Sequence, residues 1–227
     1  MTNQPPNTKD LLNEIPVLAE NKALREQFKD FVSVHQTYHA AIKEICTKLE
    51  ILNDEFRFRY NHNPIHHIES RLKTVESIIS KLKAKGLEIS LESAKANLND
   101  IAGIRVVCCY IDDIYHLAEL LLRQNDIELI VEKDYIKTPK PNGYRSLHLV
   151  VRIPIFLSDR TAYTPVEIQI RTVAMDFWAS LEHPLRYKLK EEIPAGIDEE
   201  LLECSQSIAL LDNRMQDIFR RIQNKPD

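Results

Sequence analysis

Glycine is scarce in this sequence, at four residues in 227. There is no G-x-x-x-x-G-K-[ST] loop and no G-x-G-x-x-G turn. Any nucleotide site must therefore hold phosphate with side chains and not with a glycine-rich backbone. No run of about 18 or more apolar residues occurs, so no helix is expected to span a membrane. Residues Met1 to Asp10 are polar and proline-rich and lack an apolar core; they read as a frayed tail and not as a signal peptide. The four cysteines, Cys46, Cys108, Cys109 and Cys204, form no C-x-x-C pair. They are expected to be reduced, buried, small apolar side chains, which suits a cytoplasmic protein. An H-E-x-x-H motif is missing, as is any adjacent His-Asp dipeptide. The cluster His62, His66 and His67 therefore does not read as a zinc or manganese hydrolase centre. Net charge is -4 with a pI near 6.1, so no global basic field calls for DNA or a membrane surface.

What is present is an ordinary globular composition, 44% hydrophobic and 28% charged. From Leu24 to Phe56 a seam of Leu24, Phe28, Phe31, Tyr38, Ile42, Ile45, Leu49, Leu52 and Phe56 repeats at three- and four-residue spacing, with His35 as its polar interruption. That pattern predicts a long packing helix, either a core helix of one subunit or an assembly contact. Pro64–Lys73 reads as a strand. Thr74–Lys85 reads as a helix capped by Thr74 and ended by Gly86. A short helix is expected near Leu91–Leu98, a strand over Ile101–Ile111, a helix over Asp113–Gln124 and a strand over Ile127–Ile136. Thr138–Gly143 is a loop. Tyr144–Ile155 and Thr164–Arg171 read as strands, Thr172–Leu189 as a helix interrupted at Pro184, and Ile197–Gln223 as a last helix after a loop at Pro194–Gly196. Close strand succession late in the core predicts a mixed sheet. There is no internal repeat, and one catalytic unit over residues 61–190 is the simplest partition. Helical regions at 1–60 and 191–227 would flank it, the second of them for oligomerisation.

Four segments could carry chemistry. Arg71, Lys73, Ser77 and Lys81 can offer several donors to one polyphosphate: the first two lie two apart at a strand end, the last two one helical turn apart. Asp100 stands at the mouth of the buried strand Ile101-Ala102-Gly103-Ile104-Arg105, where a carboxylate can bind Mg²⁺ or cap a turn equally well. The third segment runs from Lys133-Asp134-Tyr135-Ile136 through Pro139-Lys140-Pro141-Asn142-Gly143-Tyr144-Arg145-Ser146-Leu147-His148. It crowds cations, an aromatic, an amide and a histidine onto a loop stiffened by prolines. There Tyr can stack on a base, Asn can read its edge, and Lys and Arg can hold phosphate. In the fourth, Glu167, Gln169 and Arg171 alternate with Val166, Ile168 and Ile170, which puts the three polar groups on one strand face. Glu167 and Asp100 could together hold Mg²⁺. In the helix that follows, Trp178 reads as core, and Glu182 and His183 as surface or supporting residues.

Taken together, these segments resemble the synthetase domain of the RelA/SpoT alarmone enzymes, from about residue 60 to 190. Lys133 to His148 is the most specific part, followed by Glu167-Ile168-Gln169-Ile170-Arg171-Thr172. Ser70 departs from the pattern: many long members have Gly before the Arg-x-Lys pair. The short chain and the stretch Asp176-Phe177-Trp178-Ala179-Ser180-Leu181-Glu182-His183 are most similar to the small alarmone synthetases of RelQ type. The resemblance implies an α/β (α+β) fold, with a mixed, mostly antiparallel sheet flanked by helices in a nucleotidyltransferase-like synthetase domain. It implies transfer of pyrophosphate from ATP to the 3′-hydroxyl of GTP or GDP, giving (p)ppGpp and AMP. Synthesis without hydrolysis is implied too, because the hydrolase domain of long members has no counterpart in the sequence.

By position, the resemblance implies that Arg71 and Arg105 sandwich adenine and that Lys73, Ser77 and Lys81 grip the ATP phosphates. Asp100 and Glu167 would hold Mg²⁺, and Glu167 would help deprotonate the acceptor. Tyr144 would stack on guanine. Lys140, Asn142, His148 and Gln169 would place the guanine nucleotide, and Lys133 would meet phosphate. Homotetramers are implied as well, some with a central cleft that binds the alarmone product as an activator. Two other readings stand beside this one. One is a related pyrophosphokinase toxin acting on adenine nucleotides or tRNA. The other is a nucleotide sensor or single-stranded RNA-binding module using the same basic cleft.

Overall fold

The computed structural model of the chain describes residues 22–188 and 196–223; side chains are described from Val34 onward, except at positions 75, 183 and 186–188. The Met1–Asp10 tail, the Pro194–Ala195 part of the last loop, and the side chains of Leu24, Phe28, Phe31 and His183 lie outside the described residues. In chain order the elements are α1 (Lys22–Tyr60), β1 (Ile65–Leu72), α2 (Val75–Ala84), α3 (Leu91–Asn97), β2 (Ala102–Cys108), α4 (Ile111–Leu122), β3 (Glu128–Asp134), β4 (Leu147–Phe156), β5 (Thr161–Thr172), α5 (Val173–Lys188) and α6 (Ile197–Gln223). The five strands form one sheet in the order β1-β2-β5-β4-β3. Only β2 and β5 run parallel; the other three pairs are antiparallel. This is the mixed, mostly antiparallel sheet that the sequence implies.

Strand alternation divides the sheet into two faces. Ile104 and Val106 of β2, Leu149, Val151 and Ile153 of β4, and Val166, Ile168 and Ile170 of β5 are all buried. Against that face α1 lays Tyr38, Ala41, Ile42, Ile45 and Leu49, also buried. Burying such an aliphatic side chain stabilises the fold by about 1.5–3 kcal/mol, before the entropy of ordering it is counted. The seam of α1 is thus a core helix over its described part. His35, its polar interruption, is exposed. The opposite sheet face carries the half-buried polar residues Arg105, Glu167, Gln169 and His148.

Local signals set the element ends. Thr74 caps α2 by accepting from Ser77 N, and Gly86, at φ +66°, ends it. Ser90 caps α3 in the same way from Ser93 N. Two expectations fail. The helix α5 is not interrupted at Pro184 but runs through it to Lys188. Pro184 is exposed, so water can serve the carbonyl whose amide partner the proline removes. The cysteines are free but not uniformly buried: Cys108 is, Cys46 and Cys109 are half-buried, and Cys204 is exposed on α6. A cysteine on the outer stripe of a surface helix has no core to enter.

Helix α6 closes the molecule from the side of the loop before β4. Its Asp212 accepts from Thr172 Oγ1 at 2.7 Å, and Leu201 O accepts from Trp178 Nε1 at 3.1 Å, so Trp178 is core as expected. Near its end Phe219 stacks on Tyr110 at 4.0 Å, and Arg220 donates to both oxygens of Asp112. Among the described residues no helix is long and apolar enough to cross a membrane.

Candidate active site

Strand register alone assembles a polar surface. Cross-strand neighbours run in two adjacent rows across the sheet. One is Glu69, Arg105, Gln169, His148 and Lys133; the other is Arg71, Gly103, Glu167, Val150 and Val131. Residues opposite one another on neighbouring strands have side chains within contact range. Positions nearly 100 residues apart in sequence thereby meet on one face.

Two depressions open on this surface. A narrow crevice of about 90 Å³ is bordered by Glu69, Ser70, Arg71, Gly103, Arg105, Glu167 and Gln169. A wider cavity of about 340 Å³ is lined by Lys81, Lys85, Asp100, Lys133, Tyr135, Lys140, His148 and Glu167 among others. Glu167 borders both. In the crevice the Arg71 side chain lies across Gly103: a Cβ added there would sit 3.6 Å from Arg71 Cγ. Arg105 pairs with Glu69 at 3.1 Å and with Asp176 at 3.7 Å.

Asp100 meets two cations. Its Oδ2 accepts from Lys73 at 2.5 Å and also from Lys81. Burial pushes the carboxyl upward, and the bonds and charges of the two lysines outweigh it, so the group sits below the usual carboxylate range. Its Oδ1 is buried without a partner. A buried anionic oxygen left open beside a second carboxylate in the same cavity fits a hard divalent cation. Ser77 lies apart from this group: it is exposed on the first turn of α2 and occupied with Thr74. Among the described residues no group of three or more His, Cys, Asp or Glu side chains could hold a metal ion.

Around the loop before β4, Lys140 sits over two rings, 4.7 Å from the Tyr135 centroid and 4.8 Å from that of Tyr144. The Tyr144 hydroxyl lies 2.9 Å from His148 Nε2. Burial, then the charges of Lys140, Arg171 and Lys133, lowers the His148 pKa to about 4, so the imidazole is neutral near pH 7. Asn142 does not line the cavity. Its Nδ2 donates to Glu182 Oε1 at 3.0 Å, and its Oδ1 accepts the Tyr144 amide at 3.2 Å. It therefore shapes the loop as found here.

Of the sequence-predicted residues, Asp100, Lys81, Lys133, Lys140, His148 and Glu167 come together in the cavity, and Arg71, Arg105, Gln169 and Glu167 in the crevice. Lys73 joins them through Asp100, and Tyr144 through Lys140 and His148. Sequence reasoning gives no role to Tyr135, which lines the cavity, or to the pair of buried Arg171 and half-buried Asp176, 3.4 Å apart. Glu182, a surface or supporting residue by sequence, is buried and anchors the loop through Asn142. The alternation that puts Arg171 beside Gln169 was visible; its burial was not.

Residues 70–192 match the family model described as a region found in RelA / SpoT proteins. The chain is 43% identical over 201 residues to the GTP pyrophosphokinase YwaC of Bacillus subtilis (strain 168), covering 88% of this chain and 94% of that one. It is 36% identical to the GTP pyrophosphokinase YjbM of the same organism, over 82% and 87%. Among solved structures, it is similar to the small alarmone synthetase 2 of Bacillus subtilis, with a TM-score of 0.77 and 42% identity over 85% of this chain and 99% of that one. The small alarmone synthetase 1 of the same organism, bound to its product pppGpp, matches with a TM-score of 0.78 and 35% identity over 86% and 100%.

Proposed function

The chain belongs to the RelA/SpoT family, and from that premise and the site we infer that it is a GTP pyrophosphokinase, an alarmone synthetase that transfers pyrophosphate from ATP to the 3′-hydroxyl of GTP or GDP. The observation that carries the reading is the place of Glu167 on the shared wall of the crevice and the cavity. A base for a two-nucleotide transfer must stand where donor and acceptor meet.

In this reading the crevice takes the donor. Arg71 and Arg105 hold adenine between their guanidinium planes, and its phosphates run toward the cavity edge, where Lys73 and Lys81, joined by Ser77 once it leaves Thr74, take them. The cavity takes the acceptor: Tyr144 stacks on guanine once Lys140 swings off its ring, His148 places the nucleotide from the cavity wall, and Gln169 from the crevice and Asn142, once it leaves Glu182, complete its contacts. Lys133 and Lys140 meet its phosphates. Glu167 accepts the proton of the 3′-hydroxyl as that oxygen bonds to the β-phosphorus of ATP. The bond between the β-phosphorus and the bridging oxygen to the α-phosphate breaks, and AMP leaves with the electron pair. Asp100 and Glu167 would hold Mg²⁺, which neutralises charge growing on the transferred group. The catalytic unit is residues 61–190, the setting is the cytoplasm, and the C-terminal helical region serves assembly into a homotetramer.

Chromatography of products from ATP with GTP, GDP or AMP tests the reading. Guanosine pentaphosphate or tetraphosphate and AMP are expected in equal amounts. Adenosine products alone, or modified tRNA, would sink it. Glu167→Gln should abolish turnover and leave ATP binding intact; full activity in that variant removes Glu167 from the chemistry.

A further inference from the structure

Arg171 is a buried cation, its side chain only 3% exposed, that no step above uses. Its Nη1 faces Asp176 Oδ1 at 3.4 Å, its Nη2 donates to Gln169 Oε1 at 2.9 Å, and its guanidinium carbon lies 5.7 Å from the Tyr144 ring centroid. Arginine has donors and no acceptor. Gln169 must therefore turn its oxygen toward Arg171, which leaves its amide nitrogen for the other side. That nitrogen donates to Glu167 Oε2 at 3.0 Å. One carboxylate oxygen of Glu167 is thus committed. The other, Oε1, is the oxygen that faces His148, 3.8 Å from its Nδ1.

We propose that Arg171 is a positioning residue: through Gln169 it fixes the rotation of the Glu167 carboxylate, and by lying against Tyr144 it sets the ring that receives the acceptor base. Without Arg171 the Gln169 amide is free to flip and present oxygen to Glu167, where two acceptors repel. Asp176 faces the guanidinium as an ion pair, so the fork meets three groups at once: Gln169 by a hydrogen bond, Asp176 by charge and Tyr144 by its ring. A lysine ammonium is a point charge and cannot span them. The inference rests on the reading of Glu167 as the base.

The test uses the full chain with ATP and GTP, following AMP release, with binding of a non-hydrolysable ATP analogue and melting temperature as controls. Arg171→Lys should lower kcat roughly 10- to 100-fold, as loss of an orienting partner does at other sites, and leave analogue affinity within about twofold of wild type. Gln169→Leu should fall by a similar factor. The double variant should lose no more than about threefold beyond the weaker single one, because both remove the same relay. Wild-type kcat in a folded Arg171→Lys overturns the proposal, as do losses that multiply in the double variant. Analogue binding that falls in step with kcat overturns it too, since that marks a merely structural role.

Should Arg171→Lys fail to fold, Gln169→Glu decides. A glutamate there still accepts from Arg171 but cannot donate to Glu167, so kcat at saturating nucleotide should drop. A rise in guanine-nucleotide KM alone, with kcat preserved, refutes the relay and leaves Gln169 as a plain contact. A wild-type chain that makes no product from ATP and GTP fails differently: it sinks the pyrophosphokinase reading, and this inference with it.

Discussion

The Tyr144 hydroxyl and His148 Nε2 share a hydrogen bond. The hydroxyl lies 2.9 Å from Nε2, and a neutral imidazole can take its proton there only if the hydrogen of the ring sits on Nδ1, the nitrogen that faces Glu167 at 3.8 Å. The contact therefore ties the protonation of His148 to the orientation of the tyrosine that the proposed acceptor base would meet.

The pH consequence has a definite sign. The folded pKa of His148 is lowered to about 4 from the usual 6.5, chiefly by burial. Between those values the unfolded chain binds a proton that the folded chain does not, so this group makes stability fall as pH drops from 6.5 toward 4; above 6.5 it contributes no slope. The His148 ring resonance in the nucleotide-free protein should titrate near 4, and His148→Asn should flatten the melting profile over that window. Titration of His148 near 6.5 would contradict the burial argument.

Asp100 gives a prediction with two opposite signs. Lys73 and Lys81 both sit on its Oδ2, so in the nucleotide-free protein they compete with any cation for that carboxylate. Lys81→Met removes one competitor and one phosphate ligand. Direct Mg²⁺ binding without nucleotide should tighten several-fold, while KM for ATP should rise by roughly tenfold, the effect of one lost charge-assisted contact. Weaker Mg²⁺ binding in that variant would show that Asp100 does not hold the metal.

Gly143 is held where a side chain cannot go. Its φ is +86°, and an added Cβ would sit 2.0 Å from Ser205 Oγ and 2.6 Å from Ser205 Cβ on α6. Gly143→Ala should therefore lower stability by about 1–3 kcal/mol, combining left-handed strain with overpacking. It should also raise KM for the guanine nucleotide and spare analogue binding in the crevice. Adding Ser205→Gly removes the obstructing atoms but not the strain, so it should restore part of the loss. Full restoration would mean that the φ angle carries none of it.

Much of this site is written in local pattern. Period-two alternation puts Glu167, Gln169 and Arg171 on one face of β5, and the same rule puts Arg105 beside Gly103. The stiff loop from Pro139 to Gly143 is legible from its residue types alone. What alternation cannot give is register between strands, and register is what sets Lys133 beside His148 and Arg105 beside Gln169. Nor can it reveal contacts made by packing. The hydrogen bond from Asn142 to Glu182, 40 residues away on α5, is one such contact. Pro184 looks like a helix break, yet an exposed proline in a helix held at its flanks by packing is tolerated.

Two apolar stripes are left facing outward, and together they support self-association. On α5, Val173, Phe177, Leu181 and Leu185 recur every four residues, all exposed; on the adjoining α6, Leu211, Met215, Ile218 and Ile222 recur at four-, three- and four-residue spacing, also exposed. Single exposed apolar residues need no explanation, but a regular apolar stripe left uncovered along a helix is of the kind that marks an interface. The α6 spacing is that of a helix seam that packs against another helix. Charge placed there should cost the free chain little and the assembly much. Met215→Glu with Ile218→Glu should therefore shift sedimentation from an oligomer to a monomer, with the melting temperature of the monomer close to that expected from its own core. A wild-type chain that sediments as a strict monomer at micromolar concentration would refute the assembly, and an oligomer unchanged by both glutamates would move the interface away from α6.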